Sequence, residues 1–400
     1  MTAAAAKRSA ESLLVVVPPE SGGVDGVCPS TMVAGLPLVR RVVLAGAQAG
    51  FGRILARSLC VKDDALAGTG AAALTPGESL PPLSRRRIVL LSANVIPKSE
   101  WLRSLLEMPL EEETLYVDGS MVAVIESRDA RPILSAALRH TSAAEVVAAL
   151  RGTFDASERS FDPAGSFPLR TSSDVPEAEA WLLRNLVKRG EGVMSRYVER
   201  RLSLALTRRL VTTRVTPNAM TLISVSIGLA GAPFFLSSSP AYQLTGALLF
   251  LAHSILDGCD GELARLKFLD SRSGAILDYW GDNLVHAAVF ASIAIGWSLA
   301  IHALWPLFLG ALLIASSLTA AVLLFRQTLE DEPPPGADAS SIARVVDRLS
   351  HRDFIYVVVL LAAAGKAAWF LAAASIGTPI FLLLLWIGRT RRTSALDREA

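Results

Sequence analysis

Between residues 219 and 388 the chain runs through apolar stretches of the length needed to cross a bilayer. That feature limits its fold more than any other. A helix needs about 20 predominantly apolar residues to span the hydrocarbon. Residues 219–237, 241–257, 275–301 and 303–325 qualify or come close. Residues 354–388 are too many for one span, and Gly365–Lys366 offers a break into two. The expected membrane domain therefore has six helical spans. Only 19% of the 400 residues are charged, against about one-quarter in an ordinary soluble domain.

The basic residues indicate how such a bundle would sit. They cluster before the first span, in "RLKFLDSRSG" between the second and third, in 326–352, and in "RTRR" after the last. By the positive-inside rule both termini are expected to face the cytoplasm, in the inner membrane if the source is bacterial. The stretch 193–214 carries Arg196, Arg200, Arg201, Arg208, Arg209 and Arg214 between Val, Leu and Tyr. It reads as an amphipathic helix lying on the bilayer with its arginines towards anionic headgroups. A solvated linker helix is the alternative. The formal net charge of +2 indicates little about partners, and no nucleic-acid partner is expected. "LLVVV" near the start is too short for a signal-peptide core. Cys28, Cys60 and Cys259 have no metal-ligand spacing.

The anomaly is acidic. Asp257, Asp260, Glu262, Asp270, Asp278 and Asp282 fall where the flanking residues are nearly all apolar. Read as helix at roughly 100° per residue, Asp257, Asp260, Gly261, Ala264 and Arg265 share an arc of about 140°. Gly274, Asp278 and Asp282 repeat every four residues on the next helix, within about 80°. A short loop makes the two helices antiparallel, so these faces can meet. Carboxylates at membrane depth are costly and usually functional. An all-carboxylate set favours a hard cation, Mg²⁺ or Mn²⁺, over Zn²⁺. Glu262 falls off the shared face and Asp270 lies in the loop, so both are expected to be solvated bystanders.

The run Asp257-x2-Asp260-Gly261-x2-Ala264-Arg265-x8-Gly274-x3-Asp278-x3-Asp282 resembles, without departure, the signature of the CDP-alcohol phosphotransferase (phosphatidyltransferase) family. Its chance occurrence is on the order of 10⁻⁹ to 10⁻¹⁰ per start position from average residue usage. The resemblance covers about residues 190–392, including "VTPNAMTLIS" and "RDF". It implies that an acceptor hydroxyl attacks the phosphate that stays with the alcohol of a CDP-alcohol, releasing CMP. It further implies that Asp257, Asp260, Asp278 and Asp282 surround one or two Mg²⁺ or Mn²⁺ ions, with Asp282 also the general base. Gly261, Ala264, Arg265 and Gly274 would bind the CDP part. Asn218, Lys267, Arg326 and Arg352 are further candidates. The three cations could hold an acceptor phosphate, or be the ordinary basic residues of cytoplasmic helix ends. A homodimer is expected from the resemblance alone.

The preceding region, 38–190, alternates β-rich and helical runs, as an α/β domain does. "RRVVLAGA" and "RRRIVLLSA" read as strands, "KSEWLRSLLEM" as a helix and "TLYVDGSMVAVIES" as a hairpin; 161–177 reads as a loop. The arrangement resembles a sugar-nucleotidyltransferase-like domain fused to the membrane enzyme. Gly46, Gly50, Gly52 and Arg53 match the Gly-rich loop of such domains only in distorted form, and Asn94 stands where they carry a metal-binding Asp. A non-catalytic domain is therefore expected, since Asn lacks the charge. The domain expectation is an unstructured extension 1–37, the α/β domain 38–190, an interfacial helix 191–214, the membrane domain 215–392 and a tail 393–400. The expected reaction belongs to phospholipid synthesis, taking CDP-diacylglycerol and a polar acceptor such as inositol phosphate or glycerol phosphate. The alternatives are a bifunctional cytidylyltransferase and phosphotransferase making a soluble polyol phosphodiester such as di-inositol phosphate, and a cation transporter.

Overall fold

The computed structural model describes residues 11–19, 26–58, 65–76, 86–119, 121–186, 198–330 and 354–399. The chain divides into two compact units, Met1–Asn185 and Leu186–Ala400.

In the first unit the apolar run near the start is a strand, β1 (Ser12–Val17), with every residue buried. It pairs in parallel with β4 (Arg53–Arg57) and with β6 (Arg86–Ser92), Leu14 standing opposite both Ile54 and Val89. This is the middle of a seven-stranded sheet that also contains β5 (Ala72–Leu74), β8 (Thr114–Asp118), β9 (Val122–Ser127) and β10 (Asp155–Glu158). The expected unstructured extension over 1–37 is thereby corrected. A strand buried on both faces reads as an unbroken apolar run rather than an alternating one. Two short strands, β2 (Met32–Val33) and β3 (Leu36–Pro37), follow as a hairpin.

"RRVVLAGA" is likewise not a strand; it lies inside helix α1 (Leu38–Ala49). Leu38, Val39, Val42, Val43, Gly46 and Ala49 are buried. That is helical spacing, hidden by the short β-branched stretch at its centre. Gly50 ends the helix at φ 96, in the left-handed region that glycine tolerates. Arg41 is buried and donates through Nη2 to Val33 O and Ala34 O, both at 3.0 Å. Burial pushes its guanidinium down to about 10, with Glu179 pulling the other way. It therefore remains charged at neutral pH and fixes the β2–β3 turn.

The predicted hairpin is β8–β9, antiparallel with Tyr116 opposite Val124. The predicted helix is α2 (Ser99–Glu107). Helices α3 (Arg131–Arg139) and α4 (Ala143–Arg151) cover one sheet face, burying Ile133, Val146 and Leu150 against Leu13, Val15 and Ile88. α1 packs against β1 and α2. The stretch expected as loop contains β11 (Ser166–Pro168), paired antiparallel with β7 (Val95–Pro97), and opens α5 (Val175–Arg184). Gly165 sits against the Trp101 indole so closely that any side chain would collide with it. Gly165→Ala is expected to cost about 2–3 kcal/mol, as overpacking does, read as a lower melting temperature of this unit.

Among its described residues the second unit is helical: α6 (Arg200–Leu210), α7 (Pro217–Gly231, extended by a 3₁₀ turn to Leu236), α8 (Pro240–Lys267), α9 (Arg272–Ile301), α10 (Trp305–Glu330), α11 (Phe354–Ala363) and α12 (Ala367–Glu399). Among the described residues, four segments are long and apolar enough to cross a membrane: Pro217–Leu236, Arg272–Ile301, Trp305–Phe325 and Ala367–Ile387. α8 falls outside that group, and α11 has only ten residues. Phe235, Phe250, Val289, Phe290, Leu313 and Phe370 meet in the bundle core. α7 and α8 approach through glycines: a Cβ on Gly246 would lie 2.9 Å from Gly231 O. Small residues allow this where lipid supplies no hydrophobic drive between helices.

Candidate active site

The carboxylates are brought together by one tight connection. α8 ends on Phe268 in the left-handed conformation (φ 55), and α9 starts on Ser271, whose Oγ accepts from Gly274 N at 3.0 Å. So few linking residues force the two helices antiparallel. Asp257 on α8 and Asp278 and Asp282 on α9 each bring a carboxylate oxygen within 4.8 Å of the others. Asp257 is 5% exposed and Asp282 9%. Asp260, also 5% exposed, is turned to α7 and accepts from Thr221 Oγ1 at 2.5 Å.

Beside this group opens a cavity of about 470 Å³, lined by Asn218, Asp260, Gly261, Ala264, Arg265, Gly274 and Asp278 among others. A Cβ on Gly274 would come within 2.9 Å of Asn218 Oδ1, and one on Gly261 within 3.2 Å of an Arg265 guanidinium nitrogen. Both glycines thus keep room where the cavity narrows. Of the further candidates, Asn218 lies in the cavity wall. Lys267 does not; its Nζ donates to Thr213 O at 2.8 Å and Val215 O at 3.2 Å, tying the end of α8 to the turn before α7. The Arg326 side chain, Arg352 and Arg196 lie outside the described residues.

One of the two expectations about bystanders needs revision. Asp270 is exposed in the loop as expected, where it borders the cavity. Glu262 is not solvated at all: it is 0% exposed. Its Oε1 accepts from Arg200 Nη1 and Ser203 Oγ, both at 2.7 Å, and its Oε2 from Thr207 Oγ1 at 2.6 Å. The wheel reading correctly placed Glu262 off the carboxylate face, but the opposite face is covered by α6. Sequence reasoning also missed Thr221 and His253, whose Nε2 lies 3.4 Å from Asp282 Oδ1. The available signal was spacing: Thr221 follows Asn218 by three residues and His253 precedes Asp257 by four, each on a shared helix face.

The carboxylate-bearing helices lie in a region that is similar to known proteins. Residues 214–381 match the family model described as CDP-alcohol phosphatidyltransferase. The chain carries a CDP-alcohol phosphatidyltransferase domain. That match takes in all four aspartates of the phosphatidyltransferase signature. Among curated relatives, a bifunctional IPC transferase and DIPP synthase of Thermococcus kodakarensis is 37% identical over 134 residues, 33% of this chain and 30% of that protein. The protein of the same name in Archaeoglobus fulgidus is 39% identical over 31% of this chain and 25% of its own. The similarity thus spans about a third or less of the length of these relatives. A solved phosphatidylinositol phosphate synthase of Mycobacterium tuberculosis with CDP-DAG bound is 22% identical, covering 46% of this chain and 94% of that one, at a TM-score of 0.34.

Among the described residues, Gly46, Gly50, Gly52 and Arg53 do not make the Gly-rich loop that an active nucleotidyltransferase would need. Gly46 is inside α1, Gly50 caps it, Gly52 N donates to Ser12 Oγ at 3.1 Å and Arg53 opens β4. These residues form a helix-to-strand connection, not a Gly-rich loop after the first strand. Asn94 is committed to structure. Its Oδ1 accepts from Ser92 Oγ at 2.6 Å and its Nδ2 donates to Leu169 O at 2.7 Å.

Proposed function

We propose that this protein is an integral membrane CDP-alcohol phosphotransferase that transfers a substituted phosphate from a CDP-alcohol to an acceptor hydroxyl and releases CMP. The observation carrying the proposal is the convergence of Asp257, Asp278 and Asp282 beside a cavity whose wall holds Gly261, Ala264, Arg265 and Gly274. Six spans, with both termini and the site on the cytoplasmic side, suit the six helices α7–α12 and the basic loops. The boundaries proposed for the membrane half are a surface helix within 191–214, the catalytic bundle 215–392 and a tail 393–400.

The donor set fits a divalent cation. It is all carboxylate, and three acidic groups with oxygens within 4.8 Å repel one another unless a cation or protons intervene. Asp257, Asp278 and Asp282 would hold Mg²⁺ or Mn²⁺, with Asp260 completing the set from the cavity side. The ion supplies charge neutralisation on the pyrophosphate and on departing CMP. The protein's residues do the rest. Gly261, Ala264 and Gly274 let the nucleotide approach the backbones of α8 and α9. Arg265 pairs with phosphate oxygens. Asp282 takes the proton of the attacking hydroxyl. Asn218 contacts the nucleotide, and burial of the carboxylates keeps bulk water from replacing the acceptor.

The acceptor we favour is a polyol phosphate such as inositol phosphate or glycerol phosphate, with CDP-diacylglycerol as donor, in phospholipid synthesis by a homodimer. A second reading, in which the α/β unit makes a CDP-polyol for the same site, is favoured by the bifunctional names of the relatives. The committed hydrogen bonds of Asn94 weigh against it. Purified full-length protein in lipid should release CMP from CDP-diacylglycerol or a CDP-polyol when Mg²⁺ or Mn²⁺ and an acceptor are present. No CMP from any donor in that panel sinks the proposal. Pyrophosphate released by the same preparation from CTP and inositol phosphate would establish the second reading.

A further inference from the structure

Glu262 belongs to neither the carboxylate group nor the cavity, yet it is among the most completely buried charges of the membrane unit. It stands about 200° around α8 from Asp260, at roughly 100° per residue. Each of its oxygens is occupied, and every donor comes from α6: Arg200, Ser203 and Thr207. Ser203 and Thr207 are one turn apart, 2% and 0% exposed, while Arg201, Leu202, Ala205, Arg208 and Arg209 on the same helix are exposed. The contact extends along α8. A Cβ on Gly258 would lie 3.5 Å from Ser203 Cβ, Cys259 Sγ is 3.6 Å from Ser203 O, and Ser254 Oγ reaches Glu199 Oε2 at 3.4 Å. Residues 254, 258 and 262 thus make a stripe along α8, each about 120° or more around the axis from Asp260 at roughly 100° per residue.

We infer that Glu262 is a positioning residue. By fastening α6 along the Ser254–Gly258–Glu262 stripe of α8 it fixes the rotation of α8 about its axis, and so the direction in which Asp257, Asp260 and Arg265 face. This inference rests on the proposed phosphotransferase site and names what sets its geometry. The lever is short. Side-chain oxygens lie roughly 5–6 Å from a helix axis, so a 10° rotation moves them by about 1 Å. A misplacement of that size can cost on the order of 10²-fold in rate, and groups that orient metal ligands are typically worth 10- to 100-fold in metal affinity. A glutamate suits the position because one carboxylate accepts from an arginine and two hydroxyls together, which an amide matches only in part.

The test uses full-length protein in lipid and three variants: Glu262→Ala, Glu262→Gln and Thr207→Val. Thr207→Val keeps shape and removes only one donor, so it serves if Glu262→Ala does not fold. Mn²⁺ binding is followed by electron paramagnetic resonance without substrate, alongside CMP release and melting temperature. Folded Thr207→Val, and Glu262→Ala where it folds, should bind Mn²⁺ about tenfold more weakly. The metal concentration for half-maximal CMP release should rise in parallel. Glu262→Gln should recover most of the difference. Wild-type Mn²⁺ affinity in folded Thr207→Val and Glu262→Ala overturns the inference, because a purely structural tie would lower the melting temperature alone. Wild-type protein that binds Mn²⁺ but releases no CMP instead refutes the phosphotransferase reading, and the binding comparison still decides the role of Glu262.

Discussion

Asp282→Asn is expected to abolish CMP release, by about 10³-fold or more, while the protein still folds and inserts. The size follows from two losses at one position. General-base catalysis contributes on the order of 10²–10⁴-fold, and the same side chain lies in the group whose oxygens sit within 4.8 Å of one another. Asparagine keeps the shape, so its neighbours, including His253 at 3.4 Å from Oδ1, need not move. What changes is charge and proton affinity. The measurement is single-turnover CMP release at saturating CDP-alcohol, with melting temperature as the folding control. Activity within tenfold of wild type would remove Asp282 from the role of base and leave the carboxylates as ligands only. An ion-transport reading makes a different forecast, since its carboxylates should be spread along a path. Here Asp257, Asp278 and Asp282 gather at facing ends of α8 and α9.

The features legible in the sequence were those written locally. The fixed spacing of the aspartates and glycines gave their helical faces, and a short loop was enough to predict that the faces meet. The hairpin at Asp118–Gly119 and the helix at 99–107 were equally local. What stayed hidden depends on distant partners. Nothing within Ser12–Val17 says that it is a central strand; its place is set by parallel pairing with residues 53–56 and 87–92. Glu262 looked like a bystander because its partners lie 55 to 62 residues upstream, on a helix whose own sequence shows chiefly its arginines. Lys267 looked like a phosphate ligand because sequence shows charge, not that Nζ already serves two carbonyls. The "RRVVLAGA" error has the opposite cause: a β-branched stretch outweighed a longer helical period, and tertiary packing follows the longer one.

Removing divalent cations should have the second-largest effect, and its physics is separable from that of Asp282. Asp257, Asp278 and Asp282 are brought together by the covalent loop and by the packing of α8 and α9, so the fold holds like charges close whether or not an ion is present. Binding to the folded state alone stabilises by RT ln(1 + [L]/Kd), about 2.7 kcal/mol at a hundredfold excess over Kd. Chelator-treated protein is therefore expected to lose CMP release below detection and to melt at a lower temperature. Mn²⁺ or Mg²⁺ should restore both, and Ca²⁺ should restore stability better than turnover, because its looser coordination suits oxygen ligands without holding the tighter octahedral geometry of Mg²⁺. Asp278→Asn should blunt the stabilisation by Mn²⁺ along with the activity. A chelated enzyme that turns over at the wild-type rate would mean that the carboxylates are held together by protons, and would leave the pyrophosphate charge to Arg265 alone.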